Sequence, residues 1–222
     1  MVQSSGMILN GWGWSKALWT VDRRWMIPDY GESSMDRQLD QLSHMCRRHQ
    51  PLHLVGWSMG GILALRMFHD RPEWFERISL IACNPCFVGA PDWPGVGLSM
   101  WSDFAEHLKQ SPEKQWWRFV ALQLLGEAQS VALMRQIRQN RMCQPYGPWL
   151  EQLEWLQFDA RSLLADIPVP CRLLLGNADR LVPVSLARLW PANWHIDVWD
   201  GVGHLLPLSA SRLQTWLNVE ES

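Results

Sequence analysis

Residues 52–68 constrain this chain more than any other stretch. Leu52 to Val55 reads as a strand. It runs straight into Gly56-Trp57-Ser58-Met59-Gly60-Gly61, and Ile62 to Phe68 then reads as a helix. A serine between glycines, set where a strand turns sharply into a helix, matches the G-x-S-x-G nucleophile elbow. The turn pushes the serine out at the top of a sheet, and small residues on both sides let the backbones pass. The serine then sits at a helix N-terminus, where backbone N–H groups favour a developing oxyanion. The motif alone is short, and a glycine-rich turn with an ordinary surface serine would share it. The strand before it and the helix after it favour Ser58 as a nucleophile.

A serine hydroxyl is a poor nucleophile until a base takes its proton. With this elbow, an acid and then a histidine follow in chain order. Asp179 lies in Gly176-Asn177-Ala178-Asp179, just past the strand Cys171–Leu175. His204 lies in Gly201-Val202-Gly203-His204, just past the strand Ile196–Trp199. Taken singly, they would read as a turn aspartate and a structural histidine. Their joint order makes them the candidate acid and base. Asp200 and Asp166 are rival acids. Asp200 sits at the strand end itself, very near His204 in sequence, and Asp166 leads into Ile167-Pro168 as a connector. Two backbone donors are expected for an oxyanion hole: Met59, directly after the serine, and Trp12 in the loop Asn10-Gly11-Trp12-Gly13. A tight turn alone would also explain Gly11 and Gly13.

The rest of the chain alternates strands and helices. Met7–Leu9, Trp25–Ile27 and Ile78–Ala82 read as further short strands. Met35–His49 has helical spacing, and Ser209 fits an N-cap for a terminal helix through Leu217. Such alternation argues for a mostly parallel sheet covered on both faces. The stretch 91–164 breaks it with helical patterns such as Phe119-Leu122-Leu125 and Val131-Met134-Ile137. It reads as a helical cap inserted into a single domain spanning 1–222. A length of 222 residues with 47% hydrophobic residues suits one domain with a substantial core.

The formal charge of −2 gives no whole-protein attraction to nucleic acid or to an acidic membrane. Met1–Trp12 has no basic, apolar signal pattern, and no segment is apolar for long enough to span a bilayer. Five cysteines, odd in number and scattered, point to a reduced, cytoplasmic protein. Cys83-Asn84-Pro85-Cys86 reads as small residues of the site or core rather than a redox pair. The histidines outside the elbow loops show no metal-ligand spacing, so no metal or other cofactor is expected. The 16 tryptophans should mostly fill the core, with some walling an apolar pocket.

Several segments together resemble one family, the pimeloyl-[acyl-carrier-protein] methyl ester esterases, or BioH-like carboxylesterases. Gly11-Trp12-Gly13 resembles the family's His-Gly-Trp-Gly loop, and Gly56 to Gly61 is similar to its Gly-Trp-Ser-Leu-Gly-Gly. Pro85-Cys86-Phe87 with Trp93-Pro94-Gly95, and Arg118-Phe119-Val120-Ala121-Leu122-Gln123, are more specific to it. Gly176 to Pro183 and His204 match its acid and base loops. The chain departs from the family in three places. Asn10 stands where a histidine is usual, the segment before Met7 is too short for two opening strands, and the Asp29–Ser33 turn is shorter.

The resemblance implies an α/β-hydrolase fold and a serine esterase that removes the methyl ester of pimelate carried on acyl carrier protein. It also implies an apolar tunnel, to which Trp12 and Phe119 would contribute, and an acidic partner. Lys114, Arg118, Arg135 and Arg138 lie on predicted cap helices. Arg118 and Arg135 match basic positions that the family uses for the carrier, although a solvated helix face would also account for them. A monomer is expected. Two other readings stay open: an esterase or thioesterase acting on another acyl group, and a non-catalytic binding protein on the same fold.

Overall fold

The computed structural model describes residues 6–143 and 147–218; the segment before Met7, where the opening strands would lie, falls almost wholly outside them. Six strands form one sheet: β1 (Gly6–Leu9), β2 (Trp25–Met26), β3 (Leu52–Trp57), β4 (Phe75–Ile81), β5 (Cys171–Gly176) and β6 (Trp194–Trp199). Their spatial order is β2-β1-β3-β4-β5-β6, and every neighbouring pair is parallel. Among the described residues seven α-helices accompany the sheet: α1 (Met35–Cys46), α2 (Met59–Asp70), α3 (Leu98–Gln110), α4 (Pro112–Gln123), α5 (Ser130–Gln139), α6 (Trp149–Glu154) and α7 (Ala210–Leu217). None of the described helices is long and apolar enough to cross a membrane.

Burial explains why the inner strands are so apolar. All residues of β1, β3 and β5 are buried, as expected where helices cover both faces of a parallel sheet. The edge strand β6 is buried only at Trp194 and Trp199 and carries His195 and Asp197 between them, which discourages further strand pairing. Asp197 accepts from Arg172 on β5 at 2.9 Å and from the Trp216 indole on α7 at 2.6 Å, so one carboxylate ties helix to edge.

The strand order reverses direction between β1 and β3. After β1 the chain moves outward to β2, then returns to the other side of β1 and proceeds to β6. The loops that follow β1 and β3 therefore part at a crevice, where open sheets of this type bind ligands. Four helices, α3 to α6, are inserted in the connection between the neighbouring strands β4 and β5.

Several local expectations shift. Helix α1 stops at Cys46, not His49, and closes at Arg47, whose N–H donates to the Ser43 carbonyl. Ser209 does precede α7, but its side chain makes no capping bond. Leu122 and Leu125 do not continue a buried stripe: α4 ends at Gln123, leaving them 36% and 53% exposed, and α5 fully buries only Ile137 while Val131 is 77% exposed.

Candidate active site

Strand β3 delivers Ser58 into a conformation that a non-glycine residue rarely adopts, with φ 54° and ψ −121°. Such backbone costs about 1–3 kcal/mol and is kept where the surroundings enforce it. Here the Ser58 N–H donates to the Ile81 carbonyl at 2.9 Å, and the Ser58 carbonyl accepts from Gly61 at 2.9 Å. The glycines are sterically required. A side-chain carbon on Gly60 would collide with the Leu9 carbonyl, and one on Gly56 would come 2.6 Å from the Gly60 oxygen. Met59 is the first residue of α2, so its N–H is among those that the helix itself leaves without an acceptor.

Three side chains meet in a line. His204 Nε2 lies 3.0 Å from Ser58 Oγ, and His204 Nδ1 lies 2.8 Å from Asp179 Oδ2. The other Asp179 oxygen accepts from the Leu181 and Val182 N–H groups at 2.8 and 3.0 Å, which fixes the carboxylate. Imidazole and carboxylate are both almost fully buried, whereas Ser58 is half-buried and open to a ligand. The Trp57 indole donates to the His204 carbonyl at 3.1 Å and holds that backbone from the strand side. The rival acids lie elsewhere. Asp200 is exposed and accepts from Asn177 at 2.8 Å, and Asp166 is exposed at φ 56°.

The loop after β1 closes the other side. A carbon on Gly11 would come 3.3 Å from the Ser58 Cβ, so the backbone leading to Trp12 runs directly beside the serine. Asn10, fully buried, takes up the contacts around it: its side-chain oxygen accepts from the Trp19 indole, and its carbonyl accepts from the Tyr30 hydroxyl at 3.0 Å. The buried Trp12 ring packs against Phe104, Trp116, Phe119 and Trp149 at centroid distances of 5.3–5.9 Å. Its N–H donates to the Trp149 carbonyl at 2.8 Å. The inserted helices thus stand directly on this loop.

Phe104 and Phe119 also line a cavity of about 80 Å³ walled only by apolar side chains, including Phe87, Trp101, Leu153 and Leu181. Leu181 belongs to the Asp179 loop, so the cavity reaches the same loops as the three-residue line. Cys83 and Cys86 are buried among core residues, and burial pushes both thiols up, away from the reactive thiolate. Among the described residues, no group of three His, Cys, Asp or Glu side chains is placed to hold a metal ion.

The predicted basic residues divide. Lys114 and Arg118, both exposed on α4, share a polar cleft of about 250 Å³ with His107 and Ser111. Arg138 stacks 4.8 Å over the Trp117 ring, and Arg135 is exposed on α5 outside that cleft. Sequence reading missed two contributors. Leu181 was hidden as an ordinary apolar residue beside the acid. Glu127, whose carboxylate accepts from the Gly203 N–H, left no local signal because its partner lies 76 residues away.

Comparison with known proteins agrees with this architecture. Solved structures at 16–17% identity share the fold: an esterase from Exiguobacterium antarcticum (TM-score 0.81, covering 98% of this chain and 94% of that one) and a bromoperoxidase from Bacillus anthracis (TM-score 0.78, 97% and 91%). Among curated proteins, a pimeloyl-[acyl-carrier protein] methyl ester esterase of Methylococcus capsulatus is 31% identical over 81% of this chain and 78% of its own length. The Salmonella newport protein of the same name is 28% identical over 85% and 80%. A biotin biosynthesis bifunctional protein, BioHC, of Teredinibacter turnerae is 28% identical over 93% of this chain, which spans 42% of that longer protein. The sequence profile of the alpha/beta hydrolase family matches residues 8–213. The chain therefore belongs to the alpha/beta hydrolase family, and within it is similar to the pimeloyl-[acyl-carrier protein] methyl ester esterases.

Proposed function

We propose that this hydrolase cleaves the methyl ester at the far end of a pimeloyl chain carried on acyl carrier protein, with Ser58 as nucleophile, His204 as base and Asp179 as the acid that orients it. The observation that carries the reading is the unbroken line from Ser58 Oγ through His204 to Asp179, at 3.0 and 2.8 Å. The names of the relatives support the substrate.

Each step follows from that geometry. His204 Nε2 takes the hydroxyl proton as Ser58 Oγ bonds to the ester carbonyl carbon. The carbonyl oxygen becomes an oxyanion, for which the Met59 and Trp12 N–H groups are the donors. His204 then gives its proton to the leaving methoxide, and methanol departs. Water, deprotonated in turn by His204, attacks the acyl-enzyme, and Ser58 leaves with the proton restored. The product is a free carboxylate, and the thioester is never presented to the serine.

In this reading the inserted helices act as a cap that sorts the two ends of the substrate. Along α4, Lys114 and Arg118 face solvent, Phe119 lines the apolar cavity, and Leu122 lines the same cavity one turn beyond Arg118. A carrier with acidic side chains and a phosphate suits the basic half of the helix, and its acyl chain suits the apolar half.

The test is a competition between methyl pimeloyl-acyl carrier protein and a short nitrophenyl ester, with the carrier product read by mass. A mass decrease equal to one CH₂ unit, as the methyl ester becomes the acid with the thioester intact, at lower substrate concentration than the free ester needs, is the expected result. Hydrolysis of the free ester alone would remove the carrier substrate from the assignment.

A further inference from the structure

The turn that joins α4 to α5 touches both loops that carry the acid and the base. Gly126, at φ 92°, lies against the residue before Asp179: a side-chain carbon on it would come 3.0 Å from the Ala178 carbonyl oxygen. Its neighbour Glu127 lies against the residue before His204, where Glu127 Oε1 accepts from the Gly203 N–H at 2.6 Å. The fit at Gly203 is close, since a carbon there would meet that carboxylate oxygen at 3.1 Å and the Gln123 carbonyl at 3.2 Å. The two loops also hold each other, with the Ala178 N–H donating to the Val202 carbonyl at 3.1 Å.

His204 is therefore gripped on two sides of its backbone. Trp57 bonds its own carbonyl from the strand, and Glu127 bonds the preceding amide from the inserted helices. A carboxylate accepting from a backbone N–H makes a charge-assisted bond, shorter and stronger than one between neutral groups. Gly203 has no side chain with which to hold its own position. The glycine that lets the helices approach this closely also leaves the loop dependent on their contact.

We propose that Glu127 is a positioning residue: through the Gly203 amide it fixes His204 in the orientation that reaches Ser58, so that the inserted helices set the geometry of the base as well as walling the pocket. This rests on the reading of His204 as the base. Glu127 lines neither the apolar cavity nor the polar cleft of Lys114 and Arg118, so its effect is expected in the chemical step.

The test compares Glu127→Ala and Glu127→Gln with the parent on a short nitrophenyl ester, which makes no demand on a carrier, with Ser58→Ala alongside. Misplacement of a reacting group is costly in rate, so Glu127→Ala should lower kcat by about tenfold or more with KM little changed. Glu127→Gln keeps an acceptor at the same reach and should recover most of that loss. All variants should unfold cooperatively and the kcat loss should persist at temperatures well below their unfolding midpoints, which separates positioning from general damage. Parent-like kcat in Glu127→Ala, an effect confined to KM, or a Glu127→Gln as slow as Glu127→Ala would each overturn the proposal. Turnover in Ser58→Ala would instead overturn the serine mechanism on which it rests.

Discussion

Asp179 turns its two oxygens to different partners. One accepts from the Leu181 and Val182 amides, and the other faces His204 Nδ1. In Asp179→Asn the carbonyl oxygen would stay with the two loop amides, and the NH₂ group would turn toward Nδ1. Nδ1 would then have to accept, leaving the ring proton on Nε2, where it blocks transfer from Ser58. We expect kcat to fall by about 10³–10⁴ with the fold intact, and a loss below about tenfold would contradict the assigned role. The three residues of this line were legible in sequence because each lies in a turn just past a strand, and turn chemistry is local. Glu127 was not, since only the packing of the inserted helices brings it to Gly203.

At the scale of elements, β3 carries a titratable group into the sheet interior. His53 is 2% exposed and lies 2.8 Å from Ser79 Oγ on β4. Burial first, and then the positive charges of Arg77 and Arg172, lower its pKa from 6.5 to about 3. The folded protein thus holds His53 neutral where the unfolded chain takes up a proton. The stabilising contribution is complete above 6.5 and is lost as pH falls toward 3, at up to about 1.4 kcal/mol per pH unit. Unfolding midpoints of the parent should therefore drop more steeply than those of His53→Gln as pH is lowered from 6.5. Parallel curves would show that His53 makes no such contribution. Strand positions were easy to read because buried parallel strands are almost continuously apolar. The helices of the insertion were harder: Leu122, Leu125 and Val131 fit an apolar period, yet all three are exposed, Leu122 beside the cavity.

For the whole molecule, the architecture followed from alternation of strands and helices and from the one stretch that broke it. What alternation cannot convey is which surface of the insertion meets the sheet. That is decided by long-range contacts such as Trp12 to Trp149 and Ser15 to Met142. These contacts leave the basic side chains of α4 and α5 on the outside. If that outer face receives an acidic carrier, Arg118→Glu combined with Arg135→Glu should raise KM for the carrier-bound ester by about tenfold or more at low salt. Hydrolysis of a free nitrophenyl ester should be unchanged. Equal effects on both substrates would show that the charges act on the site itself.

Methanol release from methyl pimeloyl-acyl carrier protein, followed for the parent and for Ser58→Ala, shows whether Ser58 is the nucleophile that cleaves this ester. The parent should turn over repeatedly and leave the thioester whole. Ser58→Ala should lose at least about 10³-fold in kcat while still binding the carrier-bound chain. Methanol release by Ser58→Ala at a rate near the parent's would contradict that role for Ser58.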